Sequence, residues 1–179
     1  GPLVGGMMRF GIPSYRLPRD ILDAEVRRIT DLGVQIEVNS TVTDLEAALA
    51  EGFDAIFTAV GAHIGKRAYI PAGESAKILD AVSYLRDVET EEDKPMLGRR
   101  VVVYGGGNTA IDAARTAKRL GAEEAIIVYR RTRDKMPAHD FEVEEALEEG
   151  ILLKWLSTIK HVDDGKMLVE KMALDETGF

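Results

Sequence analysis

The run from Arg99 to Ala114, RRVVVYGGGNTAIDAA, constrains the fold more than any other stretch of this chain. A β-branched segment enters a glycine cluster and a segment with helical spacing leaves it. That order predicts strand, tight turn and helix, the first half of a dinucleotide-binding βαβ unit. Gly105 permits the sharp exit from the strand. Gly107 carries no Cβ, so a pyrophosphate can approach the backbone there. Ala110 is small enough for helix and strand to pack closely. The first helical turn then directs N–H groups and a partial positive charge at the phosphates. The helix is expected from about Asn108 to Leu120, stopped by Gly121.

A second apolar run, Ala125 to Tyr129, predicts the next strand, and the loop after it is where the adenosine ribose belongs. An acid there would accept from a ribose 2′-OH. This chain instead carries Arg130 and Arg131, with Arg133 close behind. Guanidinium groups suit a 2′-phosphate through charge-assisted, often bidentate bonds. The pattern therefore reads as NADP rather than NAD. The plainer alternative is a glycine turn in an ordinary βα unit with a solvated arginine pair.

Composition narrows the remaining classes. With 179 residues the chain suits one domain or two small ones, and 45% hydrophobic residues suffice for a core. A net charge of −8 argues against nucleic acid and anionic membranes as partners. The absence of cysteine removes disulfides, thiolate metal sites and a CxxC redox centre from this segment. No apolar run approaches a membrane span and no basic leader opens the chain, so a cytoplasmic location is expected.

Taken in order, residues 5–18 hold glycines and two prolines and predict an irregular loop. Pro18 opens a helix with Leu22, Val26 and Ile29 on one stripe, ended by Gly33. Val34 to Val38 alternates as a strand. Thr43 to Glu46 has the form of a capping box for a helix to about Glu51. Phe53 to Val60 is apolar enough for a strand buried on both faces. Leu79 to Val88 has helical spacing, and Glu89 to Pro95 forms an acidic link. After the second strand, Phe141 to Glu149 predicts an acidic helix with a solvated face. Ile151 to Leu156 predicts a third strand. Ile159–Val162 and Met167–Leu174 predict a hairpin turning at Asp163-Asp164-Gly165. The expected domains are residues 1–62, a connector at 63–97, and a nucleotide unit at 98–179.

Four motifs in this order resemble the glutamate synthase small-subunit group of flavoprotein oxidoreductases. They are Gly5-Gly6-Met7-Met8-Arg9-Phe10-Gly11-Ile12-Pro13 with Arg16-Leu17-Pro18, Thr58-Ala59-Val60-Gly61-Ala62, Gly105 to Ala110, and Val128-Tyr129-Arg130-Arg131 with Met136-Pro137. The resemblance implies an α/β, Rossmann-like three-layer fold of the pyridine nucleotide-disulfide oxidoreductase type, truncated at both ends. Residues 1–62 would be part of an FAD-binding domain and 98–179 an incomplete NADPH-binding domain. Gly5, Gly6, Met7, Arg16 and Val42 match flavin-contacting places. Gly106, Gly107, Asn108, Thr109, Arg130 and Arg131 match NADP-contacting places. Hydride would pass from NADPH to FAD in a longer parent protein. Iron–sulfur clusters would lie outside this segment, and a partner subunit or domain would accept the electrons. The segment alone is expected to be inactive and to hold FAD weakly.

By residue type alone, Arg16 suits a carboxylate on the helix that follows it better than a flavin phosphate or ribose; only the resemblance points it at the flavin. Asp112 is expected to face solvent. His63 and His139 lie in polar loops without partners at metal spacing. No residue is expected to be catalytic and no metal site is expected, because in hydride transfer the cofactors carry the reaction. The competing functional reading is a dinucleotide-binding sensor without chemistry.

Overall fold

The computed structural model describes residues 1–62, 64–65 and 68–174. The chain divides into two compact units, Gly1–His63 and Ile64–Phe179.

The first unit carries helices α1 (Gly6–Phe10), α2 (Arg19–Thr30) and α3 (Leu45–Ala50). The glycine-rich stretch is thus not wholly irregular. Gly5, at φ +115°, turns the chain into α1. The Nε of the buried Arg9 donates to the Val4 carbonyl at 2.6 Å, and its guanidinium pairs with Asp23 of α2. Local glycine content argued against a helix here, and this tertiary anchor overrides it. Helix α2 follows Pro18 and turns its one buried residue, Leu22, inward. Helix α3 is capped by Asp44, one residue beyond Thr43. The Asp44 carboxylate accepts from the Glu46 and Ala47 N–H groups at 2.9 and 3.0 Å.

Two expected strands are absent from this unit. Residues 34–38 and 53–60 form neither helix nor strand, and Phe57 and Val60 are 92% and 73% exposed. A strand takes its hydrogen bonds from a neighbour rather than from itself. Among the described residues these runs join no sheet, so their apolar patterning is not used in one.

In the second unit, residues 64–97 group with the nucleotide unit rather than standing apart from it. They supply α4 (Ala81–Thr90), capped by Asp80, whose Tyr84 and Leu85 are buried. The chain then runs β1 (Arg100–Tyr104), α5 (Asn108–Arg119), β2 (Glu124–Val128), α6 (Asp140–Glu148) and β3 (Leu152–Lys154). The strands form a parallel sheet in the order β1-β2-β3. Val101 lies opposite Ala125 and Tyr104 opposite Val128. Central β2 is buried from Ala125 to Val128, as a parallel strand covered on both faces should be.

On one face α5 and α6 close a core of Ile111, Ala114, Ile127, Val143, Ala146 and Ile151. Next to it, α4 packs Tyr84 near Val101, Ala113 and Ala117. The other face, with Ile126 and Val128, is covered by Ile159 and its neighbours in a hairpin of β4 (Ser157–Asp163) and β5 (Lys166–Lys171). The hairpin is longer at its start and shorter at its end than its periodicity suggested. Asp164 and Gly165 both have positive φ, +47° and +66°. This is the backbone that a two-residue turn needs to match strand twist.

Two sequence expectations fail on α5 and α6. Asp112 is 3% exposed rather than solvated. The acidic helix is not a freely solvated face either, since Glu142 is 1% exposed. Glu145 and Glu149 receive Arg115, itself 4% exposed, at 2.7 and 2.6 Å, and Arg119 reaches Glu149 at 2.6 Å. A helical acid run reads as polar from sequence, yet here one side of it meets the basic residues of a neighbouring helix.

Candidate functional site

The site is built at the carboxyl ends of β1 and β2, where ligands of open parallel sheets bind. Val101 to Tyr104 lead into Gly105, at φ +151°, whose N–H donates to the Val128 carbonyl at 3.1 Å. The turn is thereby tied to the adjacent strand. Gly107 is the N-cap of α5, and its carbonyl accepts from the Ala110 and Ile111 N–H groups at 2.9 and 3.2 Å. A Cβ added at Gly107 would meet nothing within 4 Å. Open space therefore faces the amino end of a helix of 12 residues, where N–H groups and the dipole favour an anion. Thr109 is exposed at this end, and Asn108 is half-buried.

Gly106 has a different role. It is buried, and a Cβ on it would lie 2.5 Å from the ring carbons of Tyr129. The tyrosine hydroxyl donates to the Lys135 carbonyl at 2.6 Å. The Ala138 N–H returns to the Gly106 carbonyl at 3.1 Å, and the His139 N–H reaches Asn108 Oδ1 at 3.3 Å. Met136 and Ala138 are buried in the core beside Tyr129. Residues 129–139 therefore fold back onto the glycine turn.

This loop carries the arginines. Arg130 is exposed and Arg131 half-buried, one and two residues beyond Tyr129. The Arg131 carbonyl accepts from the Leu156 N–H at 3.1 Å. Arg133 pairs with Glu144 at 3.3 Å, so it is already engaged by the helix that follows. The register Tyr104 opposite Val128 places the glycine turn and the arginine loop at neighbouring strand ends. The His139 ring stacks on Phe141, with centroids 5.7 Å apart. Among the described residues, no group of three His, Cys, Asp or Glu could hold a metal ion. His63 lies outside the described residues.

Sequence reasoning singled out the turn and the arginines, but it named Tyr129 and Met136-Pro137 only as parts of a motif and gave them, and the return of residues 136–139, no role in the site. The aromatic placed immediately before the arginine pair was the available signal.

The flavin-side candidates of the sequence lie in the first unit. Gly5 and Met7 are half-buried, Gly6 is exposed, and Arg16 is half-buried with its N–H donating to the Pro13 carbonyl at 3.0 Å. Val42 is 62% exposed in the extended stretch before α3. The organiser of the loop is Arg19, which sequence reasoning missed. Its guanidinium donates to the carbonyls of Met8, Leu17, Arg9 and Ile12 at 3.3, 2.9, 2.8 and 2.8 Å. A single cation gathering four carbonyls holds a glycine- and proline-rich segment in one shape.

A parallel sheet with a glycine turn, a helix amino end and basic residues at the next strand end defines a dinucleotide-binding α/β protein. The chain belongs to the pyridine nucleotide-disulphide oxidoreductase family, whose profile matches residues 18–178. It is 44% identical over 160 residues to the beta subunit of the NADP(+)-dependent formate dehydrogenase of Moorella thermoacetica, covering 87% of this chain and 22% of that protein. It is 30% identical over 193 residues to the small chain of the NADPH glutamate synthase of Escherichia coli, covering 99% of this chain and 41% of that one. The chain thus spans less than half the length of these relatives. The resemblance to the glutamate synthase small-subunit group is borne out. Among solved structures, Mycobacterium tuberculosis FprA in complex with NADPH superposes with a TM-score of 0.73 at 17% identity, over 99% of this chain and 56% of FprA. That likeness establishes the Rossmann-like fold. No helix among the described residues is long and apolar enough to cross a membrane.

Proposed function

We propose that this chain supplies the NADPH-binding part of a flavin-dependent oxidoreductase in which hydride passes from NADPH to FAD. One observation carries the reading: the open glycine turn at the amino end of α5 lies beside the end of β2, whose following loop carries Arg130 and Arg131. Gly105, Gly106, Gly107, Asn108 and Thr109 would seat the pyrophosphate. Arg130 and Arg131 would hold the 2′-phosphate. Residues 1–62 would belong to an FAD-binding domain, with Gly5, Gly6, Met7, Arg16 and Val42 flanking the flavin. Residues 63–97 would connect to the NADPH-binding domain at 98–179. The names of the relatives support the choice of NADP over NAD: one is NADP(+)-dependent and another is an NADPH glutamate synthase chain.

When bound, the nicotinamide and flavin supply the redox chemistry. The chain's own residues bind and orient. The turn backbone and the dipole of α5 neutralise phosphate charge, and the arginines select the phosphorylated ribose. Several relatives are named as subunits of larger enzymes. A partner subunit or domain would accordingly take the electrons onward, with any iron–sulfur cluster outside this cysteine-free segment. A cytoplasmic location accords with this reading.

Calorimetric titration with NADPH and NADH tests it. NADPH should bind more tightly, and Arg130→Ala and Arg131→Ala should each cost about tenfold or more in NADPH affinity, as lost charge-assisted bonds do. Gly107→Val should abolish binding of both nucleotides with the fold intact. Equal affinity for the two nucleotides refutes the assignment. In the longer protein, bleaching of flavin absorbance by NADPH separates the oxidoreductase from a sensor.

A further inference from the structure

We propose that Tyr129 is a positioning residue that sets the arginine loop against the phosphate turn and thereby the discrimination between NADPH and NADH. The inference rests on the NADPH reading above.

Tyr129 touches both halves of the site. Its ring lies so close to Gly106 that a Cβ there would stand 2.5 Å from it. The residue is 8% exposed, and its hydroxyl donates to the Lys135 carbonyl at 2.6 Å. That bond closes residues 130–135 into a loop on the strand end, and this loop bears Arg130 and Arg131. Beyond it, the Ala138 N–H returns to the Gly106 carbonyl at 3.1 Å. The path from Gly106 through the Tyr129 ring and Lys135 to Ala138 and back is a closed circuit.

The tyrosine itself is fixed. Its N–H donates to the Lys154 carbonyl at 2.9 Å and its carbonyl accepts from the Ser157 N–H at 3.0 Å. A fixed backbone, a packed ring and a used hydroxyl make it a strut between turn and loop. Without the hydroxyl bond the loop regains conformational freedom, and a ligand that needs its arginines must order it again. NADH has no 2′-phosphate and makes no such demand. The effect should therefore fall on NADPH alone.

The test is Tyr129→Phe in the 179-residue chain, which keeps the ring on Gly106 and removes the hydroxyl. Titrations with NADPH and NADH would be run on wild type, Tyr129→Phe, the Arg130→Ala/Arg131→Ala double variant, and the triple variant. Circular dichroism checks that each is folded. The expected result is a rise in the NADPH Kd of about fivefold, the worth of one hydrogen bond. The NADH Kd should not change, and the effect should vanish when both arginines are absent. A merely structural tyrosine would weaken both nucleotides alike and would do so with or without the arginines. That outcome, or an unchanged NADPH Kd, overturns the proposal. If wild type shows no preference for NADPH, the underlying reading fails and this inference falls with it.

Discussion

The two units of this chain hold apolar runs of similar character that meet opposite fates. In the second unit, Ala125 to Val128 sit in the middle of a parallel sheet, and Ile127 is fully buried. In the first, residues 53–60 are also largely apolar, with only Asp54 and Thr58 polar, yet Phe53, Phe57 and Val60 are 62%, 92% and 73% exposed. The difference lies in what surrounds each run. The βαβ unit brings its own neighbours: β1 and β3 flank β2, and α5 and α6 cover it within a short span of chain. The first unit offers its apolar runs three helices and no paired strand among the described residues. Hydrophobic patterning thus marks a segment that can be buried, and only partners at the right register bury it.

The largest expected effect puts that contrast to a direct test. Ile127→Ala empties a fully buried site in the core under α5 and α6 and should cost about 3 kcal/mol of unfolding free energy, within the range of large-to-small core substitutions. Phe57→Ala removes a larger side chain from solvent-exposed backbone and should stay within about 0.5 kcal/mol. Urea denaturation of both variants measures the pair. Comparable losses would mean that residues 53–60 are packed in solution, and the contrast between the units would collapse.

Legibility from sequence divides along the same line. The turn at Gly105–Gly107, the helix that follows it and the hairpin turn at Asp164-Gly165 could be read because each rests on interactions between residues close in sequence. Strand β2 could be read because a wholly apolar run follows that strand-turn-helix unit at the spacing of a parallel neighbour. The strands expected at 34–38 and 53–60 could not be judged, since strand formation depends on partners that periodicity does not reveal. Arg9 and Arg19 were passed over for the same reason. Their hydrogen bonds reach carbonyls and a carboxylate up to 14 residues away, and nothing in their local sequence marks them. Asp112 and Glu142 were read as solvated because acids usually are. At the site, the two arms were legible, whereas the strut between them was not, because Tyr129 meets Gly106 across two strand ends.

A smaller effect contrasts two acidic helices. At the C-cap of α6, burial works against the Glu149 carboxylate, but hydrogen bonds from Arg119 and Arg115 outweigh it and hold its pKa down to about 2 from an ordinary 4.5. The folded value is depressed, so this stabilisation is complete above the unfolded pKa and is lost as pH falls through about 4.5 toward about 2. Glu149→Gln should cost about 2 kcal/mol at pH 7, since the buried Arg115 loses one of its carboxylates. The gap from wild type should narrow across that acid window and close near its lower end. Denaturation curves at several pH values would show it. A gap independent of pH would mean that the charge of Glu149 is not what it contributes.

The smallest effect lies in α3 of the first unit, where an acid works alone. Asp44 accepts from the Glu46 and Ala47 N–H groups at the exposed amino end of a six-residue helix with no buried residue. Replacing it by alanine removes an N-cap worth about 1 kcal/mol. So short a helix has little propagation to draw on, and its ends fray readily. The loss should therefore appear as local opening rather than as a lower melting temperature. Amide exchange at Ala48, whose N–H donates to the Asp44 carbonyl at 3.2 Å, should speed up about fivefold. Exchange at Ile127 in the sheet should not change, because nothing in α3 contributes to that core. Faster exchange at both amides would mean that loss of the cap is felt as global unfolding rather than as local opening of α3.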